Sequence, residues 1–260
     1  MIQKMERKNK EEEISARIER LLTAQPTAPP EARRVRRSFA VEKRWVESRR
    51  HMGLQIRVDQ EFAAAYRRPG QYVTLKVPDW PARFFVIASR PEHDLWEFLV
   101  DRRGELGTEL EKLDVGDTLR LSLPEGAGFD AREARKTVAL MFCTGSGLAT
   151  MRPLLNRWLD TGEDGPSTVA LYYGERKHED FAWTELLSRW QTQGVKVYRA
   201  VEEQPSQKIS HRYVQHAFDA EHPPLEDAFA YLSGAPVMIQ MVAGKLLRSG
   251  LAPSRVKINI

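Results

Sequence analysis

The feature that most constrains the fold is a change of hydrophobic texture near Arg135. Before it, apolar and polar residues alternate in the runs SFAVEKRWV, LQIRVD, QYVTLKV, RFFVIAS, LWEFLVD and TLRLSLP, punctuated by MG, RRPG, PDWP, RPEHD and DVGD. A period of two turns alternate side chains to one face, so each run reads as a strand with one buried side. Six such strands with short turns between them predict a small antiparallel β-barrel. After Arg135 the runs TVALMFC, STVALYYG, GVKVYRAV and DAFAYLSG are almost continuously apolar, and helix-like stretches separate them. Strands buried on both faces and alternating with helices predict right-handed βαβ crossovers and a doubly wound parallel sheet. The expected class is therefore β + α/β, with units at 31–135 and 136–260. Residues 1–30 are set apart as a helical extension: Ile14, Ile18, Leu21 and Leu22 share one helical face, and Pro26, Pro29 and Pro30 end it. Its use as a tail, a dimer contact or a docking element is open at this level.

Composition narrows the classes. With 260 residues and 42% hydrophobic content, each unit can fill a core. No apolar run approaches the roughly 18 residues of a membrane span. The opening MIQKMERKNKEEE lacks the apolar region of a secretory signal and is too acidic for a typical transit peptide. One cysteine, Cys143, leaves no ligand set for an internal iron–sulfur cluster or a zinc finger, and it fits a reducing cytoplasm. Burial at a strand end is its expected role. The six histidines show no H-x-x-x-H or H-E-x-x-H spacing, so no metal site is expected. The net charge is only +4, yet Arg33, Arg34, Arg36, Arg37, Lys43, Arg44, Arg49 and Arg50 crowd one segment. This reads first as a solvated face of the early strands, with an acidic partner as the alternative; nucleic acid is disfavoured because no zinc-finger or aromatic RNA-binding signature accompanies it.

Two motifs carry chemistry. Phe142, Cys143, Thr144, Gly145, Ser146 and Gly147 end the first parallel strand. Glycines at a strand-to-helix turn let the backbone approach a diphosphate, and the next helix offers unpaired N–H groups. The pattern is neither a nucleoside triphosphatase loop nor a hydrolase elbow, so Ser146 is a poor nucleophile. On a barrel strand, Arg83 stands two residues before Phe85. A cation for phosphate and a ring for a planar heterocycle would then share one face; the bland alternative is a surface arginine beside core rings.

Taken in order, RFFVIAS, GELGT, FCTGSGLATMRPLL, LYYGER and YLSGAPVMIQMV resemble the flavin strand, flavin-phosphate turn, nicotinamide loop, adenosine turn and nicotinamide-side segment of the ferredoxin–NADP reductase superfamily across about residues 36–260. WEFLVD, EGAGF and the final KINI are similar to its plant "fruit protein" group of FAD/NAD(P)-binding oxidoreductases. The resemblance implies FAD as cofactor and NAD(P)H as substrate, with hydride transfer to the flavin and then electron transfer to a separate acceptor. That acceptor would be an acidic protein such as a ferredoxin, or a small molecule. It further implies that Arg83 contacts flavin phosphate, Phe85 lies against the isoalloxazine, Ala88 and Ser89 face the cofactor, and Gly104, Gly107 and Thr108 close on the flavin diphosphate. Thr144, Gly145, Ser146 and Gly147 would shape the nicotinamide and diphosphate site, with Gly234 beside them. In the turn Gly174, Glu175, Arg176, Lys177, the two cations favour a 2′-phosphate and hence NADPH. Two positions depart from the family pattern: Val86 replaces a Ser or Thr near flavin N5, and Ser233 replaces a Cys beside the nicotinamide. They keep open a second reading, an electron-transfer or sensor subunit that docks through the N-terminal helix.

Overall fold

In the computed structural model the described residues are Ala16, Ile18, Glu19, 36–91, 93–161, 165–203 and 211–259. Most of the expected N-terminal helix lies outside them. Ile18, from its apolar stripe, packs against the core of the second unit, beside Gly244.

The alternating runs form one antiparallel sheet of β1 (Arg36–Val46), β2 (His51–Arg57), β3 (Tyr72–Lys76), β4 (Arg83–Val86), β5 (Leu95–Asp101) and β6 (Thr118–Ser122), in the order β4-β3-β6-β1-β2-β5. The sheet curls almost into a barrel: beyond the end of β4, the Ala88 N–H donates to the Glu97 carbonyl of β5 at 2.7 Å, linking the two edge strands. Inward positions carry Val41, Leu54, Ile56, Val73, Leu75 and Phe98, all buried. A short helix, α1 (Gln60–Ala65), adds Phe62 to this core. Asp59 caps it by accepting the Phe62 N–H, and Phe62 packs edge-on to Phe39 with ring centroids 4.8 Å apart. Helix α2 (Glu105–Lys112) follows β5.

The continuous apolar runs become β7 (Val138–Thr144), β8 (Thr168–Glu175), β9 (Lys196–Val201) and β10 (Ala228–Ser233), all parallel. A fifth strand, β11 (Val256–Asn259), gives the order β11-β10-β7-β8-β9. Helices α3 (Leu148–Thr161) and α4 (Thr184–Thr192) pack on one face with Leu154, Trp158 and Trp190. Helices α5 (Val214–Glu221) and α6 (Pro236–Arg248) pack on the other with Phe218, Ile239 and Leu246. The chain runs outward from β7 through β8 to β9, then crosses back to place β10 on the opposite side of β7. The gap between β7 and β10 is thus the topological switch point, and ligands of open α/β sheets bind outside the carboxyl ends of the strands there. No helix among the described residues is long and apolar enough to cross a membrane.

Candidate functional site

A cleft of about 1060 Å³ opens between the barrel and the carboxyl edge of the parallel sheet, at the upper end of the range for ligand sites. Its barrel wall includes Arg83, Phe85 and Val86 of β4 and the Gly104–Gly107 turn; its sheet wall includes Thr144, Gly145, Ser146, Gly147, Arg176, Ser233 and Gly234. The residues that the sequence reading drew from separate motifs therefore meet in one space.

On the barrel side, α2 starts at Gly104, whose φ of 91° is the left-handed region that favours glycine, and no side chain caps the helix. The first-turn N–H groups and the positive helix end are left for an anion. Gly107 permits the turn to close, because a Cβ there would meet the Asp101 carbonyl oxygen and lie 2.9 Å from the Arg102 carbonyl carbon. Phe85 is half-buried and edge-on to Phe98, with centroids 6.4 Å apart. Arg83 is exposed and donates to the Ala82 carbonyl at 3.1 Å.

On the sheet side the loop is held to the end of β10. The Ala235 N–H donates to Thr144 Oγ1 at 2.9 Å, and the hydroxyls of Thr150 and Ser233 are 2.9 Å apart. Ser233 is thus a buried, hydrogen-bonded small polar group at the cleft. A Cβ on Gly147 would lie 2.7 Å from the Ser233 carbonyl carbon and 2.9 Å from the Gly234 nitrogen. These glycines create a cradle that side chains would fill, as a close-approaching diphosphate requires.

Three expected residues fall elsewhere. Ala88 and Ser89 do not line the cleft: their backbone and hydroxyl groups close the barrel instead. Ser89 Oγ accepts the Glu97 N–H at 3.2 Å, and the Ser89 carbonyl accepts the Tyr66 hydroxyl at 2.9 Å. Thr108 sits one residue past the lining turn and returns its hydroxyl to the Gly104 carbonyl at 3.0 Å. The reading of the arginine-rich segment as a solvated face also needs correction at its end, since Arg49 and Arg50 tie the two units together. Arg49 Nε donates to Asp180 Oδ1 at 2.9 Å. Arg152 of α3 is a further tie, paired with Glu97 of β5 and lying over the Trp183 ring at 4.6 Å.

The sequence reading missed the group at the seam. Arg50 lines the cleft and binds two carboxylates, Asp101 at 2.7 Å through Nη2 and Glu175 at 2.9 Å through Nη1. Glu175 is fully buried and also accepts the Tyr173 hydroxyl at 2.7 Å. Burial raises its pKa from 4.5 to about 7, outweighing Arg50. His51, equally buried, is lowered from 6.5 to about 4 by burial and then by Arg50. Asp101 is lowered to about 2, its partial burial outweighed by hydrogen bonds from Arg103 and Arg50. Burial raises the Cys143 thiol, a poor setting for a nucleophile. Among the described residues no group of three or more His, Cys, Asp or Glu is arranged to hold a metal ion.

Residues 141–244 match the oxidoreductase NAD-binding domain. The chain is 25% identical over 207 residues to the sulfhydrogenase 2 subunit gamma of Pyrococcus furiosus, covering 74% of this chain and 71% of that protein. It is 26% identical over 211 residues to the ferredoxin–NAD(P)(+) reductase component of the Pseudomonas putida naphthalene 1,2-dioxygenase system, covering 78% of this chain and 62% of that one. The flavohem-like FAD/NAD-binding domain of Vibrio cholerae nitric oxide dioxygenase superposes with a TM-score of 0.75 at 21% identity, covering 87% of this chain and 98% of that one. A barrel and a parallel sheet that share one cleft, with the nucleotide loop at the switch point, and these likenesses together mean that residues 141–244 form an oxidoreductase NAD-binding domain and that the chain as a whole is similar to oxidoreductases of the ferredoxin–NADP reductase-like fold.

Proposed function

We propose that the chain binds FAD on the barrel side of the cleft and NAD(P)H on the sheet side, moves a hydride from the second to the first, and delivers the electrons to a separate acceptor. The observation that carries this is the single cleft with two anion cradles: the uncapped start of α2 on one wall and the Gly145–Gly147 loop on the other. The cradles fit two phosphate-bearing cofactors, and the half-buried Phe85 and Val86 offer an apolar wall for a ring system between them. Bound flavin would supply two-electron acceptance and one- or two-electron release. The protein's own residues position: Arg83 and the α2 start hold phosphate, Val86 offers its backbone where a hydroxyl is usual, and Ser233, fixed by Thr150, borders the nicotinamide. On this reading 31–135 is the flavin unit and 136–260 the nucleotide unit. The test is an absorbance spectrum of purified protein before and after anaerobic NADPH, then NADH; a flavin band that bleaches supports the reading, and protein that takes up no FAD overturns it.

Two finer assignments follow. Arg83→Ala is expected to weaken FAD binding by about 2 kcal/mol, the scale of a charged hydrogen bond, or roughly thirtyfold in Kd; unchanged flavin content after dialysis would remove Arg83 from that role. For the nucleotide, NADPH is preferred: Arg176 lines the cleft and shares Glu203 with Lys177, whose Nζ is 3.4 Å from that carboxylate. Both cations are exposed and held by a surface partner that a 2′-phosphate can displace. Changing Arg176 and Lys177 together to Gln should lower the NADPH to NADH ratio of kcat/KM about tenfold, the worth of roughly 1.4 kcal/mol; an unaltered ratio would show that this turn does not read the phosphate.

The acceptor is proposed to be a protein, an acidic one such as a ferredoxin, since the relatives include a hydrogenase subunit and a reductase component; a small-molecule acceptor is the other outcome. Exposed Val237 and Met241, one turn apart on α6, border the cleft and supply an apolar edge for contact. Within the superfamily we place the chain with the "fruit protein" group, on WEFLVD, EGAGF and KINI.

A further inference from the structure

We propose that Arg50 is a positioning residue that holds the nucleotide loop in register with the flavin-phosphate turn, and so sets the geometry of hydride transfer rather than the binding of either cofactor. The inference rests on the flavin and NAD(P)H reading above.

Arg50 lies where the two units meet. It immediately precedes β2, and its carbonyl accepts the Arg102 N–H at 2.8 Å, which fixes its backbone to the flavin-phosphate turn. Its guanidinium binds Asp101, the last residue of β5, through Nε at 2.8 Å, and Glu175, the last residue of β8, through Nη1 at 2.9 Å. The guanidinium also stands close to Gly145: a Cβ built on that glycine would be 3.0 Å from Nη2 and 3.3 Å from Cζ. One side chain therefore binds the strand leading into one anion cradle and the strand beside the other, and stands close to the loop of the second.

Each partner is aimed from its own side. The Tyr173 hydroxyl donates to Glu175 Oε1 at 2.7 Å and accepts the Ala182 N–H at 3.3 Å. The Arg103 backbone N–H donates to Asp101 Oδ1 at 3.0 Å. The arrangement is poorly explained as a source of stability, because a buried ion pair is often no better than apolar side chains of equal volume. Fixing a register is the better-attested use of such pairs. Lysine cannot reproduce it, since a rigid planar fork reaches two carboxylates and a point charge does not. Reacting rings need separations near 3 to 3.5 Å, and a misplacement of about 1 Å costs on the order of a hundredfold in rate.

The experiment compares full-length wild type, Arg50→Gln, Arg50→Lys, Glu175→Gln and Tyr173→Phe, each loaded with FAD. Four quantities are read: FAD per chain, NAD+ affinity by calorimetry, the limiting rate of flavin reduction, and the long-wavelength flavin–nicotinamide charge-transfer absorbance. Hydrogen exchange across 144–147 is followed alongside them. Both Arg50 variants should keep wild-type FAD content and bind NAD+ within about threefold, yet reduce flavin at least tenfold more slowly. They should also lose the charge-transfer absorbance and exchange faster at the loop, and Arg50→Lys should fail to rescue. Tyr173→Phe, which keeps Arg50 and loosens only the aim of Glu175, should show the same changes in smaller degree, and it carries the test if an Arg50 variant does not fold. A wild-type limiting rate and absorbance in the Arg50 variants would overturn the proposal, as would loss of FAD, which would make Arg50 a flavin ligand. Wild type that binds NAD+ but takes up no FAD would instead overturn the flavin reading and this inference with it, an outcome distinct from the others.

Discussion

Gly147→Ala should destabilise the nucleotide unit by about 3 kcal/mol and remove detectable NAD(P)H binding. The added methyl would sit 2.7 Å from the Ser233 carbonyl carbon and 2.9 Å from the Gly234 nitrogen. Both are backbone, and Ser233 is paired in the ladder to Cys143 of β7, so neither can yield without parting β10 from the central strand. The methyl would also stand where a diphosphate must approach the turn. Gly104 is the control. It has a φ of 91° but nothing within 4 Å of where an alanine methyl would stand, so Gly104→Ala should cost only backbone strain, about 1 to 3 kcal/mol, with no clash at the nucleotide loop. Denaturant midpoints and NAD+ calorimetry separate the two. Near-normal nucleotide binding by Gly147→Ala would mean that the loop relaxes and that close approach is not what this glycine serves.

The contrast between Gly147 and Arg50 explains what a sequence can disclose about this site. Loop glycines and the Arg83–Phe85 pair act within a few residues of one another, so their spacing betrays them. The six alternating runs and four apolar runs were legible for the same reason: period and length are local properties. Strand β11, four residues long and with Lys257 inside it, is too short to carry a period, and it takes its conformation from the ladder with β10. Helix α1 is likewise brief and owes its place to Phe62 filling the barrel core. Arg50 and Glu175 are 125 residues apart, and nothing in the spacing of either joins them until barrel and sheet are docked. Ala88 and Ser89 show the converse: a motif assigns them to the cofactor, and in the fold the Ala88 N–H and the Ser89 hydroxyl oxygen bond to Glu97 as the barrel closes.

The same seam makes a second large prediction, on stability against pH. Glu175 has a folded pKa of about 7 against an ordinary 4.5, because burial outweighs Arg50. Between those values the folded chain holds a proton that the unfolded chain has lost, so this group makes stability fall as pH rises from about 4.5 to 7. His51 does the reverse. Its folded pKa is about 4 against 6.5, again from burial first and Arg50 second, so the unfolded chain holds the extra proton and stability rises over pH 4 to 6.5. Arg50, Asp101, Asp180, Tyr173 and Cys143 surround the two groups. Asp101 is already ionised below this range, at about 2, and burial keeps Tyr173 and Cys143 protonated throughout it. The wild-type contributions should therefore largely cancel between pH 4.5 and 6.5. His51→Gln should uncover the Glu175 slope: its own stability should fall by about 3 kcal/mol from pH 4.5 to 7, and relative to wild type it should fall by a similar amount over the His51 window, pH 4 to 6.5. Glu175→Gln should uncover the His51 slope: its own stability should rise by a similar amount from pH 4 to 6.5, and relative to wild type it should rise over the Glu175 window, pH 4.5 to 7. Urea unfolding of the three proteins at half-unit steps measures the differences directly. Opposite slopes in the two variants require both groups to be buried uncharged across that window, and a flat profile in His51→Gln beside a rising one in Glu175→Gln would mean that Arg50 keeps Glu175 ionised throughout it.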